Sequence, residues 1–188
     1  MDLGGRDGRL KILLGSVSGV YKKDLHRQNL ARFHNKFNYT GCDLKPTSER
    51  VIAGDLCYDS YVSENSVYTN YFDVIYSNNV FEHLRRPWVT VKHIDKMLKP
   101  NGICVIVAPF SQRYHKSPDD YFRYTHTAIE NLFRSETKMN FSMILTAYVT
   151  FQRRMNIFGR KNDALVEDSF GGCRETWYTV TILRKLEE

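Results

Sequence analysis

Between Phe72 and Phe110 two short apolar runs rich in β-branched residues, Asp73-Val74-Ile75-Tyr76 and Ile103-Cys104-Val105-Ile106-Val107, flank a charged segment with helical spacing. A strand, a helix and a strand in that order make a crossover unit, the connection that parallel strands require and a tight hairpin cannot supply. The helix is expected to end at Pro100-Asn101-Gly102. Polar residues, Ser77-Asn78-Asn79 and Ser111-Gln112, follow the carboxyl ends of the two strands. That edge is where open α/β sheets hold ligands.

The remaining chain extends this pattern. Lys11-Ile12-Leu13-Leu14 reads as a first strand, Gly15-Ser16-Val17-Ser18-Gly19 as a glycine turn, and about Lys22 to His34 as a helix with Leu25, Leu30 and Phe33 inward. Phe37 to Leu44 is an extended run closing on Asp43, and Val51 to Leu56 a third strand ending in Gly-Asp-Leu. The polar, tyrosine-rich segment from Cys57 to Tyr71 reads as loop or irregular helix. Beyond Phe110 lies the irregular stretch Ser111 to Tyr124, followed by a helix that Thr125 can cap, with Ile129, Leu132 and Phe133 inward. Two last strands, about Phe141 to Phe151 and Glu175 to Leu183, suggest an antiparallel hairpin with a long connection.

At 188 residues the chain is expected to form one domain, residues 1–188, with 1–9 a loose lead-in. The abrupt start is compatible with an excerpt of a larger protein. No apolar run approaches the roughly 20 residues of a membrane span, and the N-terminus lacks the apolar core of a signal peptide. Cys42, Cys57, Cys104 and Cys173 show no paired spacing, so they are read as reduced packing residues of a cytoplasmic protein. The net charge of +6 is spread among acids, which makes it a weak footprint for nucleic acid.

Asp73 to Leu84, together with Met97-Leu98-Lys99-Pro100-Asn101-Gly102, resembles the fourth strand and the approach to the fifth in class I S-adenosylmethionine-dependent methyltransferases. The resemblance implies a Rossmann-like α/β fold, with a seven-stranded mostly parallel sheet, one antiparallel strand and helices on both faces. It implies that Gly15, Ser16 and Gly19 wrap the methionine part of S-adenosylmethionine, that Asp43 with Leu44 binds the ribose, that Asp55 with Leu56 holds the adenine, and that Asn78 lines the methionine end. The glycine turn departs from the family's acid followed by alternating glycines, for Leu13 stands at the acid's place and Val17 at the middle glycine, where a β-branched residue tolerates positive φ poorly. Gly4-Gly5-Arg6-Asp7-Gly8 is a rival turn, but no strand is expected before it, and Gly15 to Gly19 is preferred. Ala108-Pro109-Phe110, Tyr114-His115 and Pro118 to Tyr124 are similar to small methyltransferases associated with glycosyltransferases and polysaccharide assembly.

An alcohol acceptor must lose a proton as it is methylated, so a histidine or carboxylate is expected near it. His83, just past the fourth strand, is the first candidate base and His115, on the roof loop, the second; the alternative readings are a half-buried histidine at the start of the next helix for His83, with Glu82, and an exposed loop histidine for His115. Asp119 and Asp120 are candidates for binding acceptor hydroxyls, or simply for starting a turn, and no metal site is expected from them. Tyr114 and Tyr121 are placed to stack on a sugar face, and Arg123 either binds the acceptor or pairs with a neighbouring acid. The leading expectation is O-methylation of a sugar or glycan hydroxyl. The alternatives are an RNA or small-molecule methyltransferase and a non-catalytic cofactor-binding domain.

Overall fold

The computed structural model describes residues 1–3, 35–45, 49–112, 114–116, 118–151 and 176–187. They fall into two units, Met1–Asp55 and Leu56–Glu188.

The first unit holds three strands, β1 (Asp2–Leu3), β2 (Gly41–Asp43) and β3 (Val51–Ala53), joined in parallel in the order β3-β2-β1. β1 corrects the expectation of a loose lead-in: Asp2 and Leu3 are buried, and they pair with Gly41 and Cys42. Tyr39 Oη donates to Asp2 Oδ2 at 2.7 Å, which satisfies an acid that burial would otherwise leave costly. The strand expected at Lys11 to Leu14 and the helix expected from Lys22 to His34 lie outside the described residues.

The second unit is built on the crossover. β4 (Phe72–Asn78) leads through the 3₁₀ turn Phe81–His83 to α2 (Pro87–Met97) and then to β5 (Leu98–Ser111), which pairs in parallel with β4. The short α1 (Tyr61–Glu64) precedes it. β6 (Phe141–Phe151) and β7 (Thr176–Lys185) form the expected antiparallel pair, and β7 also runs antiparallel to β5, giving the order β4-β5-β7-β6. β7 is therefore the strand that opposes its neighbours; the other described pairings, β1 to β3 and β4 to β5, are parallel.

α2 starts with Pro87, whose missing N–H costs nothing in the first turn, and buries Val91, Ile94 and Met97. Lys185 Nζ donates to the Asp95 carbonyl at 2.6 Å and lies 3.0 Å from the Asp95 carboxylate, placing a cation at the helix's negative end. α3 (His126–Glu136) buries Ile129 and Phe133, and its cap is the expected one, Ala128 N–H donating to Thr125 Oγ1 at 3.1 Å. Burial pushes the Cys104 thiol up to about 12; Cys42, Cys57 and Cys104 are buried, as expected of packing residues, and Cys173 lies outside the described residues.

Pro100-Asn101-Gly102 sits inside β5 rather than between helix and strand. The pairing slips between Phe72–Leu98 and Val74–Ile103, and Asn101 takes φ 63° at the irregularity. A Cβ on Gly102 would lie 2.8 Å from the Lys99 carbonyl oxygen and 2.8 Å from Leu98 Cδ1. Gly102→Ala is therefore expected to destabilise the fold by about 1–3 kcal/mol, read as a lower denaturation midpoint; an unchanged midpoint would show that the bulge opens freely.

Candidate functional site

In the first unit Asp43 ends β2, and Asp55 lies two residues past β3, at the same carboxyl edge, because the strands are parallel and Asp43 pairs with Ala53. Gly54 N–H donates to the Asp43 carbonyl at 3.1 Å, and Asp43 Oδ1 accepts from Lys45 N–H at 2.9 Å. Both acids are half-buried and Leu44 is exposed. Carboxylates at adjacent strand ends suit the hydroxyl and amino groups of a nucleoside. The residues that follow β1 in sequence are Gly4-Gly5-Arg6-Asp7-Gly8, so a strand does precede that turn, contrary to expectation. Gly15, Ser16 and Gly19 lie outside the described residues.

In the second unit Leu56 is buried, and its carbonyl accepts from the Thr90 hydroxyl at 3.1 Å. Asn78 ends β4. Asn79, at φ 54°, turns the chain there while its N–H holds the Val107 carbonyl at 2.9 Å. Its side chain donates to Asn78 Oδ1 at 3.3 Å.

The 3₁₀ turn after this strand carries Phe81, Glu82 and His83, and the loop after β5 folds over it. Tyr121 N–H at 2.7 Å and Phe122 N–H at 3.3 Å both donate to the Glu82 carbonyl, and Tyr124 Oη donates to the Phe81 carbonyl at 3.1 Å. Tyr124 N–H in turn holds the Pro109 carbonyl at 2.9 Å, and Thr179 Oγ1 holds the Tyr124 carbonyl at 2.7 Å. The loop is thus stitched down on both β5 and β7, and Glu82 is sealed beneath it with a fully buried side chain.

Around Glu82 the loop assembles a polar cluster. His83 Nδ1 donates to the Asp119 carbonyl, which leaves Nε2 as the basic nitrogen, 3.7 Å from Glu82 Oε1. His115 Nε2 lies 3.9 Å from the same oxygen, with Nδ1 3.5 Å from Asp120 Oδ2. The two imidazoles meet edge to face with centroids 4.9 Å apart. Among the described residues neither Glu82 carboxylate oxygen has a hydrogen-bond partner from another residue. Burial pushes that carboxyl up to about 7, against the pull of His115 and Arg123.

Asp120 is held differently. Arg123 grips it with Nη1 at 2.5 Å and Nη2 at 2.7 Å, and His115 N–H adds a third bond at 2.7 Å. The guanidinium beside it holds its carboxyl down at about 2. Arg123 also donates through Nε to the Gln112 carbonyl at 2.8 Å, so it closes the loop on itself. Asp119 is half exposed; it accepts from Tyr121 Oη at 3.3 Å and lies 3.7 Å from Lys116 Nζ. Tyr114 and Tyr121 stand exposed on the loop, at 71% and 48%.

The structure therefore brings together His83, His115, Asp119 and Asp120, and adds Glu82, to which the sequence reading gave no role in the site. The available signal was its position, an acid beside His83 in the turn at a strand's carboxyl end. Asp2 was missed likewise, because a two-residue strand has no period to read.

Comparison with known proteins agrees with this architecture. A family model described as a methyltransferase domain matches residues 1–141. Among solved structures, 1,6-didemethyltoxoflavin-N1-methyltransferase of Burkholderia thailandensis, bound to 1,6-didemethyltoxoflavin and S-adenosylhomocysteine, is similar at TM-score 0.52 and 16% identity, over 99% of this chain and 71% of that one. The YcgJ protein of Bacillus subtilis is similar at TM-score 0.51 and 12% identity, over 100% and 91%. Haemonchus contortus phosphoethanolamine N-methyltransferase 2, in complex with phosphomonomethylethanolamine and S-adenosylhomocysteine, is similar at TM-score 0.55 and 15% identity, over 99% and 48%. At these identities the likeness carries the fold alone, and that fold is the expected seven-stranded, mostly parallel Rossmann-like class. No curated protein sequence matches the chain. Among the described residues no helix is long and apolar enough to cross a membrane.

Proposed function

The chain belongs to the methyltransferase-domain family of S-adenosylmethionine-dependent enzymes, and from that premise we propose that it methylates a hydroxyl, with a sugar or glycan end as the acceptor class. The observation that supports this is the pair of imidazoles over buried Glu82, roofed by a loop that exposes Tyr114 and Tyr121. S-adenosylmethionine, when bound, supplies a methyl on a sulfonium sulfur; the C–S bond breaks with its electron pair left on sulfur as the acceptor's C–O bond forms. This chain's part is to orient the alcohol and take its proton.

The Nε2 atoms of His83 and His115 are the basic positions, with Glu82 beneath them to balance the charge that protonation creates. Asp120, bound to Arg123 and to the His115 amide, is a positioning residue, and Asp119 contributes its backbone carbonyl to His83. Tyr114 and Tyr121 offer flat faces to a sugar ring.

Asp43 and Leu44 take the ribose, Asp55 and Leu56 the adenine, and Asn78 the methionine end. The glycine turn is assigned to Gly4-Gly5-Arg6-Asp7-Gly8, directly after β1 and with Asp2 as its acid, rather than to Gly15, Ser16 and Gly19. That reassignment also removes the ground for a non-catalytic domain, since Val17 and Leu13 no longer stand in the turn. Calorimetry with S-adenosylhomocysteine tests it. Gly8→Val is expected to weaken binding about tenfold or more, and Gly19→Val about twofold or less. The reverse order returns the turn to Gly15–Gly19.

A labelled-cofactor screen of sugar, glycan, nucleoside and RNA acceptors tests the acceptor class. The net charge of +6 favours RNA as the second reading. Labelled RNA, with binding that falls steeply with salt, would displace the glycan assignment.

A further inference from the structure

We infer that Glu82, His83 and His115 form a binding site for one divalent first-row transition cation, with zinc as the leading ion. Each residue offers one ligand atom, and the three atoms lie within 4.8 Å of one another. His83 Nε2 and His115 Nε2 stand 3.7 and 3.9 Å from Glu82 Oε1. In a tetrahedral zinc shell with bonds of about 2.0–2.1 Å, ligand atoms are about 3.3 Å apart, so closing on an ion takes a movement of about half an ångström between each imidazole and Glu82, and of up to about 1.5 Å between the imidazoles, which the 4.8 Å limit allows. Two imidazoles, one carboxylate and an open fourth position are the donor set of a catalytic zinc centre.

Two independent features point the same way. Among the described residues both carboxylate oxygens of Glu82 are buried with no hydrogen-bond partner from another residue, although the loop bonds to the carbonyls of Phe81 and Glu82 beside them. A fold that orders a whole loop over a glutamate and gives its oxygens no partner beyond their own backbone N–H fits a ligand to a cation better than a packing residue. Moreover, both histidines are held from behind in the manner of metal ligands. His83 Nδ1 donates to a backbone carbonyl, and His115 Nδ1 faces Asp120, which Arg123 fixes in turn. Such outer partners set the tautomer and aim Nε2 at the ion. Lys116, the cation of the loop segment beside His115, is engaged by Asp119 at 3.7 Å rather than by Glu82.

The site stands on this cluster alone and does not rest on the acceptor class. It changes the base proposed above: with the ion present the imidazoles would be ligands in place of bases, and an acceptor hydroxyl at the fourth position would lose its proton to water as the Lewis acid lowers its pKa.

The test uses the full chain, stripped with a chelator and dialysed. Zinc is titrated in competition with a chromophoric chelator, bound metal is counted by mass spectrometry, and S-adenosylhomocysteine affinity is measured on the same samples. The expected result is one equivalent of zinc, with affinity lowered at least about 100-fold in His115→Ala and in His83→Ala, and about 10- to 100-fold in Asp120→Asn, which touches only the outer partner. Folding of each variant is checked by circular dichroism, and cobalt uptake provides a visible band that His115→Ala should abolish. Wild-type protein that folds but takes up no stoichiometric zinc overturns the site, and so does uptake undiminished by His115→Ala. S-adenosylhomocysteine binding reports separately on the methyltransferase reading, so failure of either is distinguishable from failure of the other.

Discussion

In chelator-treated protein, Glu82→Gln is expected to stabilise the fold by about 3 kcal/mol near pH 8 and to leave it nearly unchanged near pH 4. Burial raises this carboxyl from 4.5 to about 7. Below the unfolded value both states hold the proton, and Glu82 costs nothing relative to glutamine. As pH rises past it, the unfolded chain sheds the proton while the folded chain keeps it, so stability falls. Above about 7 the folded state is ionised too and the loss levels off. Glutamine fills the same volume and never ionises. The groups facing Glu82 set the size of the effect: His115 and Arg123 favour the carboxylate, Asp120 opposes it, and His83 lies 3.7 Å away. Denaturant unfolding of wild type and variant across that pH range decides the matter. A difference that stays constant with pH would mean that water reaches the carboxylate and that the loop does not seal it.

The contrast between Glu82 and the rest of the second unit shows what a sequence makes legible. β4, β6, α3 and its Thr125 cap follow from local patterns, β-branched runs and a capping residue before spaced apolar positions, and each forms where those patterns lie. Pro100-Asn101-Gly102 misled because its residue types mark a turn, whereas here they make an irregularity within β5 that still pairs on either side. β1 was hidden for another reason. Asp2 and Leu3 owe their strand to a partner, Gly41 and Cys42, far along the chain, and nothing in two residues announces it. That one placement is the ground on which the glycine turn is proposed at Gly4 to Gly8 in place of Gly15 to Gly19. The cluster around Glu82 is non-local in the same way: its histidines were nameable from chemistry, but the acid between them becomes buried only when Tyr121, Phe122 and Tyr124 bond back to residues 81 and 82. Arg123 was read as either an acceptor ligand or a partner of a nearby acid; the pairing with Asp120 is the one observed.

That pairing should make Arg123→Ala the most damaging single change to the roof loop. Among the described residues the guanidinium makes four hydrogen bonds within the loop: two to the Asp120 carboxylate, one to the Gln112 carbonyl and one to the Phe122 carbonyl. Removing it leaves Asp120, with a side chain only 1% exposed, without the guanidinium that pairs with it. Breaking one side of a buried pair costs about 3–5 kcal/mol, and the partial exposure of Arg123 places this case at about 3. Arg123→Lys keeps the charge but not the planar fork, so it should recover only part of that loss. Because Asp120 also holds the His115 amide and faces its Nδ1, the same change lets the imidazole drift, and under the role proposed for His115 a misplacement of about 1 Å is worth about 100-fold in rate. The expected signature is therefore a fall of about 100-fold in kcat for methyl transfer, partial rescue by Arg123→Lys, and an S-adenosylhomocysteine affinity that stays within about twofold, since the residues assigned to the cofactor lie elsewhere. Denaturant midpoints, single-turnover kinetics and calorimetry read the three quantities separately. A variant that unfolds more easily yet turns over at the wild-type rate would confine Arg123 to holding the loop, and a large loss of cofactor affinity would place the loop on the cofactor side instead.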